Sequence, residues 1–241
     1  MSEQCRWLHE QLERLPPTRY PFDLEALPAN GIYFFYEDGE VCGHNGYKPR
    51  IVRIGTHKDG NFQSRIAEHF LCNWPDEIHI DPGRAAPKDR SIFRKNLGRA
   101  LLNQRNDDYL AVWEIDFTKR RNRVRYGHLR DVEKEEHIEA LVTSVLRKRF
   151  SFTFIILDNQ QERMGSNGLE SCLIGTVAQC RECRPSDDWL GKDSPKEGIK
   201  AYGLWQVQHL RSEPIDDADK STITEAIAHT LAWLSHRPNS L

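Results

Sequence analysis

The sequence predicts an α+β fold, in which a small antiparallel sheet is flanked by helices and further helices lie at both ends of the chain. Two runs rich in Ile, Val, Phe and Tyr, Gly31–Glu37 and Arg50–Thr56, are typical of strands. Turn residues between them predict an antiparallel hairpin with a long loop. Segments with apolar residues at helical spacing precede and follow this hairpin. A hairpin among interspersed helices indicates the α+β class.

The two ends of the chain carry helical patterns. Glu3–Leu15 has apolar residues at helical spacing and is ended by Pro16, and Thr222–Ser235 forms a second such segment. We expect the N-terminal helix to pack on the core, with docking on a partner as the alternative. A single domain is predicted over residues 1–241, with its core at about 30–210 and helical extensions at 1–29 and 211–241.

The middle of the chain predicts further helices and strands joined by two long loops. The helices follow apolar stripes and capping residues such as Ser91 and Asp131, and the strands follow alternating or continuous apolar runs. We predict helices at Phe62–Cys72, Ser91–Asn103, Asp131–Arg149 and Leu169–Gln179. Strands are expected at Tyr109–Phe117, Val124–His128, Ser151–Leu157 and Tyr202–Leu210. The long loops are Asn73–Arg90 and Arg181–Lys200, and loops of such length are often functional.

Composition bounds the class of protein. The chain has 241 residues, a formal net charge of −2 and 29% charged residues, which is typical of a globular protein. No run of about 18 apolar residues is present, so no membrane span is expected. The first residues lack the basic and apolar regions of a signal peptide, and we therefore expect a cytoplasmic protein with six mostly reduced cysteines.

The near-neutral total hides a basic segment. Residues 84–130 contain 13 Lys or Arg against 5 Asp or Glu. A local positive potential can steer a polyanion such as nucleic acid to an otherwise neutral protein. The plainer interpretation is a set of solvated basic loops.

The hairpin and the next helix carry a set of ordered motifs. Gly31-Ile32-Tyr33 lies on the first strand and Arg53-Ile54-Gly55 on the second, and Arg65 and His69 follow them, four residues apart on one helix face. These motifs resemble those of the GIY-YIG nuclease family. The similarity extends over about residues 30–210, through the helix beginning Ser91-Ile92-Phe93-Arg94-Lys95, Glu170 and Leu204-Trp205-Gln206. The chain departs from the family at Arg53, where the second motif usually begins with Tyr.

The resemblance implies a Mg²⁺-dependent DNA endonuclease of a restriction, repair or phage-defence type. Tyr33 would orient or deprotonate the attacking water, and Arg53 would make its phenol more acidic. Arg65 would contact the scissile phosphate, and His69 would reach the same phosphate or a proton in transit. His57, just after the second motif, is a further candidate for binding substrate.

Glu170 is the candidate ligand for Mg²⁺ or Mn²⁺, because Mg²⁺ is commonly held by one or two carboxylates together with waters and substrate phosphate. An acidic residue in the first turn of a helix is also favourable to the helix dipole alone. Gln206 stands where the family often has a late asparagine. Arg94 and Lys95 are expected to grip DNA, with at most one of them facing the cleft.

Two other functions and one other metal site stay open at the sequence level. The chain could be a nucleic-acid-binding protein on the same scaffold that does not cut, since Arg53 and Gln206 depart from the family pattern. It could also be a protein-interaction module that uses its terminal helices. Cys180 and Cys183 form a CxxC that Cys172 and His209 could complete as a zinc site, although free thiols are the preferred interpretation.

Overall fold

A computed structural model describes residues 2–44, 46, 48–75 and 77–236, and the α+β prediction is confirmed. Within these residues four strands form one antiparallel sheet in the order β1-β4-β2-β3. The strands are β1 (Thr18–Arg19), β2 (Ile32–Val41), β3 (Pro49–Thr56) and β4 (Phe150–Ile155). The predicted hairpin is the β2–β3 pair, and β2 lies at the centre of the sheet.

Eleven α-helices surround this sheet in the part of the chain that the structure describes. They are α1 (Ser2–Leu12), α2 (Phe62–Phe70), α3 (Pro87–Arg90), α4 (Ile92–Gln104), α5 (Leu110–Trp113), α6 (Arg120–Tyr126), α7 (Val132–Arg149), α8 (Gln160–Arg163), α9 (Leu169–Ala178), α10 (Glu197–Tyr202) and α11 (Asp217–Ser235). The side chains of Ser91 and Asp131 accept hydrogen bonds from the backbone N–H groups of Arg94 and Lys134, so both predicted caps are present.

Both faces of the sheet are covered, because successive residues of β2 point to opposite sides. Ile32 and Phe34 pack with α1, α9 and α11 on one face. Tyr33 and Phe35 pack with α2, α4 and α7 on the other. The terminal helices therefore lie on the same face and share one apolar cluster with the sheet, as expected for helical additions to the core.

Three of the predicted strands are wrong. Tyr109–Phe117 contains α5, and its Trp113 is buried with the indole N–H donating to the Lys95 carbonyl oxygen at 3.0 Å. Val124–His128 belongs to α6 and to a following 3-10 turn, with no buried residue to form a strand face. In these two segments the short alternating pattern does not produce a strand, because tertiary packing or charge determines the backbone conformation.

The third, Tyr202–Leu210, ends α10 and continues as irregular backbone. Its Trp205 N–H donates to the Val52 carbonyl oxygen at 2.8 Å, a single bond to the edge of the sheet and not a ladder. This contact nevertheless fixes Trp205 and Gln206 beside β3. Among the described helices, none combines the length and the apolar character that a membrane span requires.

Candidate active site

A cleft of about 410 Å³ opens beside the start of β2 and the end of β3. Its walls come from distant parts of the chain: the hairpin, α2, α4, the residue after α8, the first turn of α9 and the segment after Trp205. The lining residues are Tyr33, Arg53, Thr56, His57, Arg65, Ile92, Asn96, Met164, Glu170, Gln206, Val207, Gln208 and His209. Six of the nine residues that the motifs single out thus line one cavity.

Glycine at position 55 is required by the packing of Tyr33. The two residues are direct partners across the β2–β3 ladder. A Cβ atom on Gly55 would lie 2.3 Å from the Tyr33 hydroxyl oxygen and 2.4 Å from Cζ, closer than any van der Waals contact. The phenol ring therefore lies flat over the place where any other residue would carry its side chain. This contact explains why a tyrosine at position 33 is accompanied by a glycine at position 55.

The Tyr33 hydroxyl group lies between two imidazoles. Its oxygen is 3.2 Å from His57 Nε2 and 3.1 Å from His69 Nε2. His69 is fully buried, and its Nδ1 lies 2.7 Å from Ser91 Oγ. Burial, reinforced by the charges of Arg65 and Arg53, lowers the pKa of His57 to about 3 and puts that of His69 well below its ordinary value. Both imidazoles are therefore neutral at physiological pH. Each can accept a hydrogen bond at one ring nitrogen and donate one from the other.

Arg53 lies beside Tyr33 on the neighbouring strand. Its guanidinium donates to the Trp205 carbonyl oxygen at 2.6 Å and lies over the ring of Phe93. Burial raises the pKa of Tyr33, while the charges of Arg53 and Arg65 oppose that rise. Arg53 thus acts in the expected direction, but in the free protein its effect is smaller than that of burial. The pKa of Tyr33 in the free protein is therefore raised by burial and held back by Arg53.

Three side chains around the cleft carry buried N–H donors with no partner among the described residues: Nε of Arg53, Nε of Arg65 and Nδ2 of Asn96. Arg65 is held by Glu68 at 2.8 Å and by the Arg90 carbonyl oxygen at 2.5 Å. Unpaired buried donors are rare and each requires an explanation. A cleft with several spare N–H groups is suited to an anion.

Asn96 is a cleft residue that the sequence interpretation missed. It lies on α4 between Phe93 and Ala100, both of which are buried on the apolar face of that helix. Its Oδ1 accepts from Arg99 at 2.5 Å, which turns the amide nitrogen away from that bond. A lone carboxamide on an otherwise apolar helical face was the available signal.

Glu170 reaches the cleft from the first turn of α9. Its Oε1 accepts the backbone N–H of Thr56, the last residue of β3, at 3.2 Å. Burial raises the pKa of this carboxyl group, and Arg53 opposes the rise. Glu170 therefore lies on the same side of the molecule as Tyr33 and Arg65, although more than 100 residues separate it from them in the sequence.

Arg163 is a second residue missed at the sequence level. It is fully buried and donates to Thr56 Oγ1 at 2.9 Å and to the His57 carbonyl oxygen at 2.5 Å. It also pairs with Asp59. The arginine thus fixes the end of β3, on which both His57 and the Glu170 contact depend.

The other residues expected to bind substrate have structural partners. Arg94 is completely buried and forms an ion pair with Glu139 at 2.6 Å. Lys95 donates to the Glu114 carbonyl oxygen at 2.8 Å, and burial lowers its pKa to about 8. Neither of these two residues lines the cleft, because both are held by contacts among helices.

Gln206 does line the cleft, but its carboxamide is already used. Its Nε2 donates to the Ile54 carbonyl oxygen at 3.0 Å, and its Oε1 accepts from Arg53 at 3.4 Å. The residue therefore ties the irregular segment to β3 and orients Arg53.

The CxxC cysteines lie elsewhere. Cys180 and Cys183 follow α9 and meet Cys5, Cys42 and His44 at the hairpin turn. Cys172 and His209, the alternative partners considered for a zinc site, do not belong to this group, and His209 lines the cleft. All six cysteines are free thiols in the structure.

A family model supports what this geometry suggests. The model of the GIY-YIG domain matches residues 10–232, nearly the whole chain. The protein belongs to the GIY-YIG family, a family of nucleases that act on DNA. Searches of curated proteins and of solved structures gave no match.

Proposed function

We propose that this protein is a Mg²⁺-dependent endonuclease that hydrolyses phosphodiester bonds of DNA. The observation that carries the proposal is the meeting of Tyr33, Arg65 and Glu170 in one cleft of about 410 Å³. Phosphodiester hydrolysis needs an oriented water, neutralised phosphoryl oxygens and a stabilised leaving oxygen. A phenol, a guanidinium and a carboxylate can meet these needs with few residues.

The donors around Glu170 fit a small divalent cation. One carboxylate oxygen is fixed by the Thr56 N–H, and the carboxylate lines the same cleft as Tyr33 and Arg65. A site with one carboxylate and space for waters and a phosphate is typical of Mg²⁺. Glu170 would hold Mg²⁺ or Mn²⁺, which when bound supplies positive charge to the phosphoryl group and the leaving oxygen.

A proton route runs through the phenol and its two histidines. Ser91 Oγ accepts the Arg94 N–H at 3.2 Å, which leaves its own proton for His69 Nδ1. His69 then donates from Nε2 to the Tyr33 oxygen, and the Tyr33 hydroxyl donates to His57 Nε2. In this arrangement Tyr33 orients the water, and His57 accepts the hydrogen bond of the phenol. His69 fixes the phenol as a positioning residue.

The scissile phosphate would be bound by the spare donors of the cleft. Arg65 already has its Nη1 atom fixed by Glu68 and Arg90, and its Nε is unpaired. Arg53 and Asn96 add further unpaired N–H groups beside it. Because hydrogen bonds to an anion are about twice as strong as neutral ones, these donors would favour the charge that develops on the phosphoryl oxygens.

Contacts along the DNA backbone would come from only part of the basic segment. Lys88, Arg94, Lys95, Arg99 and Arg130 are taken up by carboxylates inside the protein. Helix α6 is different, since Arg120, Arg121 and Arg125 on it are exposed. These side chains are the best candidates for phosphate contacts that weaken as salt rises.

The test is the conversion of negatively supercoiled plasmid to the open circle by wild type and by Glu170→Gln, with Mg²⁺ or with EDTA. We expect cleavage by wild type with Mg²⁺ only and a loss of at least about 100-fold in Glu170→Gln. Glu162→Gln is the matched control, because Glu162 is an exposed acid outside the cleft whose carboxylate accepts from Asn159 at 2.8 Å. Full activity of Glu170→Gln, or of wild type in EDTA, would refute the proposal.

The competing function is a DNA-binding protein that does not cut. Arg53 in place of the family tyrosine favours it, because the Nη1 atom of Arg53 is held by Trp205 and Gln206. Wild-type protein that binds DNA in a salt-dependent way, yet cleaves neither plasmid, linear duplex nor branched DNA with Mg²⁺ or Mn²⁺, would establish this alternative.

A further inference from the structure

A cluster of thiols and an imidazole lies at the far end of the hairpin and has no part in the cleft. Its ligand atoms come from α1, from the turn between β2 and β3, and from the loop after α9. The sulfur atoms of Cys5, Cys180 and Cys183 and a ring nitrogen of His44 all lie within 4.8 Å of one another. Cys5 is fully buried, and the two CxxC cysteines are nearly so.

The spacing of these atoms matches the edges of a metal tetrahedron. Cys5 Sγ is 3.8 Å from Cys183 Sγ, and Cys180 Sγ is 3.3 Å from His44 Nε2. Four ligands at zinc–sulfur distances of about 2.3 Å and zinc–nitrogen distances of about 2.0 Å give edges of roughly 3.5 to 3.8 Å. A disulfide would need a sulfur–sulfur distance of about 2.05 Å. The cluster is therefore spaced for a shared ion and not for a bridge.

The second ring nitrogen of His44 supplies an independent argument. His44 Nδ1 lies 2.7 Å from Glu182 Oε2, while Nε2 points at Cys180. The imidazole itself is almost completely shielded from solvent. A histidine that ligates a metal through one nitrogen commonly donates its other N–H to a carboxylate, which fixes its tautomer and orientation. His44 has both properties of such a ligand, because one ring nitrogen faces a cysteine sulfur and the other faces a carboxylate.

The backbone brings the two loops together closely. A Cβ atom on Gly43 would lie 2.0 Å from the carbonyl oxygen of Glu182, so only glycine allows this approach. The hairpin turn and the CxxC loop are thus in backbone contact beside the cluster. His44, one residue further, reaches Cys180 because of it.

Two other candidates at the cluster are used differently. His9 Nδ1 lies 2.9 Å from the Cys5 carbonyl oxygen and must donate to it, while Nε2 accepts the Ile51 N–H at 3.4 Å. Both of its nitrogens are therefore occupied by the backbone. Cys42 Sγ lies 3.4 Å from Cys183 Sγ, but it forms a separate group with His9 and Cys183 and offers only three ligands. A four-ligand shell is complete without either residue.

We infer that Cys5, His44, Cys180 and Cys183 bind one Zn²⁺ ion in a closed structural site. The cysteines bind as thiolates and release their three protons to solvent as the metal enters, and His44 binds in its neutral form. With four protein ligands no position is left for substrate, so the role is to join parts of the fold. The ion would link the N-terminal helix, the hairpin turn and the end of α9, which are distant in sequence.

The test measures zinc directly in the full chain purified without added metal or affinity chelate. Elemental analysis should give about one zinc per chain, and titration with a mercurial reagent should release it to a colorimetric indicator. Cys180→Ser and His44→Ala should each lower the zinc content at least 10-fold and lower Tm. Cys72→Ser and Cys172→Ser are matched controls that should keep both values, because neither thiol belongs to the cluster.

Cys42→Ser separates the proposed ligand set from its rival. We expect this variant to retain the metal, since Cys42 is placed outside the four ligands. Loss of zinc in Cys42→Ser with retention in His44→Ala would overturn the assignment. Zinc-free wild type whose Tm does not rise when Zn²⁺ is added under reducing conditions would overturn the site itself, as would iron with visible charge-transfer absorbance. The mercurial titration needs only wild type, so the test stands even if a variant fails to fold.

Discussion

The cleft and the thiol cluster lie at opposite ends of the same two elements. The β2–β3 hairpin carries Tyr33 near its open end and His44 at its turn. Helix α9 carries Glu170 in its first turn and is followed by Cys180. One hairpin and one helix therefore support two sites of different chemistry, and the same packing of α9 on β3 aligns both.

The two sites differ in how their polar groups are satisfied. At the cleft, side chains of regular elements leave N–H donors of Arg53, Arg65 and Asn96 unpaired. At the cluster, Cys5 of α1 and the loop residues His44, Cys180 and Cys183 face one another at metal-ligand spacing. The first arrangement is open to an outside anion, and the second is closed on itself.

The largest effect should come from removing the phenol at the cleft while leaving the cluster untouched. Tyr33→Phe is expected to lower plasmid nicking about 1000-fold, the range of general acid–base catalysis. Zinc content should stay the same. The matched control is Tyr36→Phe, since Tyr36 points to the opposite face of the same strand and contacts Thr153 at 3.2 Å. Equal activity of the two variants would remove Tyr33 from the mechanism.

The second prediction concerns the stability contributed by Arg94, a buried residue that packs behind the cleft and not at the cluster. Arg94 donates to the His69 carbonyl oxygen at 2.9 Å and pairs with buried Glu139. Arg94→Met would leave that carboxylate buried and unpaired, at a cost of about 3–5 kcal/mol in the free energy of unfolding. Denaturant unfolding measures this change in the free energy of unfolding. Arg121→Met on exposed α6 should change stability by less than about 0.5 kcal/mol.

If Arg94 were instead a direct DNA ligand, the outcome would reverse. Arg94→Met would then keep wild-type stability and lose affinity for DNA. The double variant Arg94→Met/Glu139→Met should recover much of the lost stability, because it removes both charges.

Gly55→Ala tests the geometry of the cleft without removing a functional group. The added methyl group would displace the Tyr33 ring from its place beside His57 and His69. A displacement of about 1 Å costs on the order of 100-fold in rate, so nicking should fall by that amount. Gly127→Ala is the control, as nothing lies within 4 Å of a Cβ there. Unchanged nicking by Gly55→Ala would contradict the required ring position.

The smallest effect is a pH dependence of the free energy of unfolding, which arises from a histidine of the cleft. His57 faces Tyr33, Arg53, Arg65 and Arg163, and its pKa of about 3 lies below its ordinary 6.5. The unfolded chain therefore binds more protons between these values, so stability falls as pH drops below about 6.5. His57 alone should cost about 2 kcal/mol at pH 5 relative to pH 7.5. His69, fully buried with a lowered pKa, acts in the same direction.

The measurement compares unfolding of wild type and His57→Gln at both pH values. The variant should lose about 2 kcal/mol less on acidification. Because both proteins carry the same thiol cluster, any acid-induced loss of metal cancels in the difference. An identical pH response in the two proteins would show that His57 is not held neutral by the fold.

The secondary structure could be read from the sequence where the pattern was long or capped. Helix α7 has a sustained apolar stripe and the Asp131 cap, and both were visible. Short segments gave wrong predictions: Tyr109–Phe117 was predicted as a strand, but it contains a helix that buries Trp113 against α4. Likewise, Arg94 has the same charge as any exposed arginine, and only the position of Glu139 on α7 makes it structural.

The sequence by itself determined the α+β class and the hairpin, because strand and helix periodicity are local properties of the chain. The order of its motifs singled out Tyr33, Arg65 and Glu170 as candidates. Only the tertiary structure decided that Asn96 joins the cleft and that Cys180 and Cys183 meet Cys5 and His44. The reason is physical: contacts between residues more than 100 positions apart depend on how the sheet and its helices pack, and no local pattern encodes that distance.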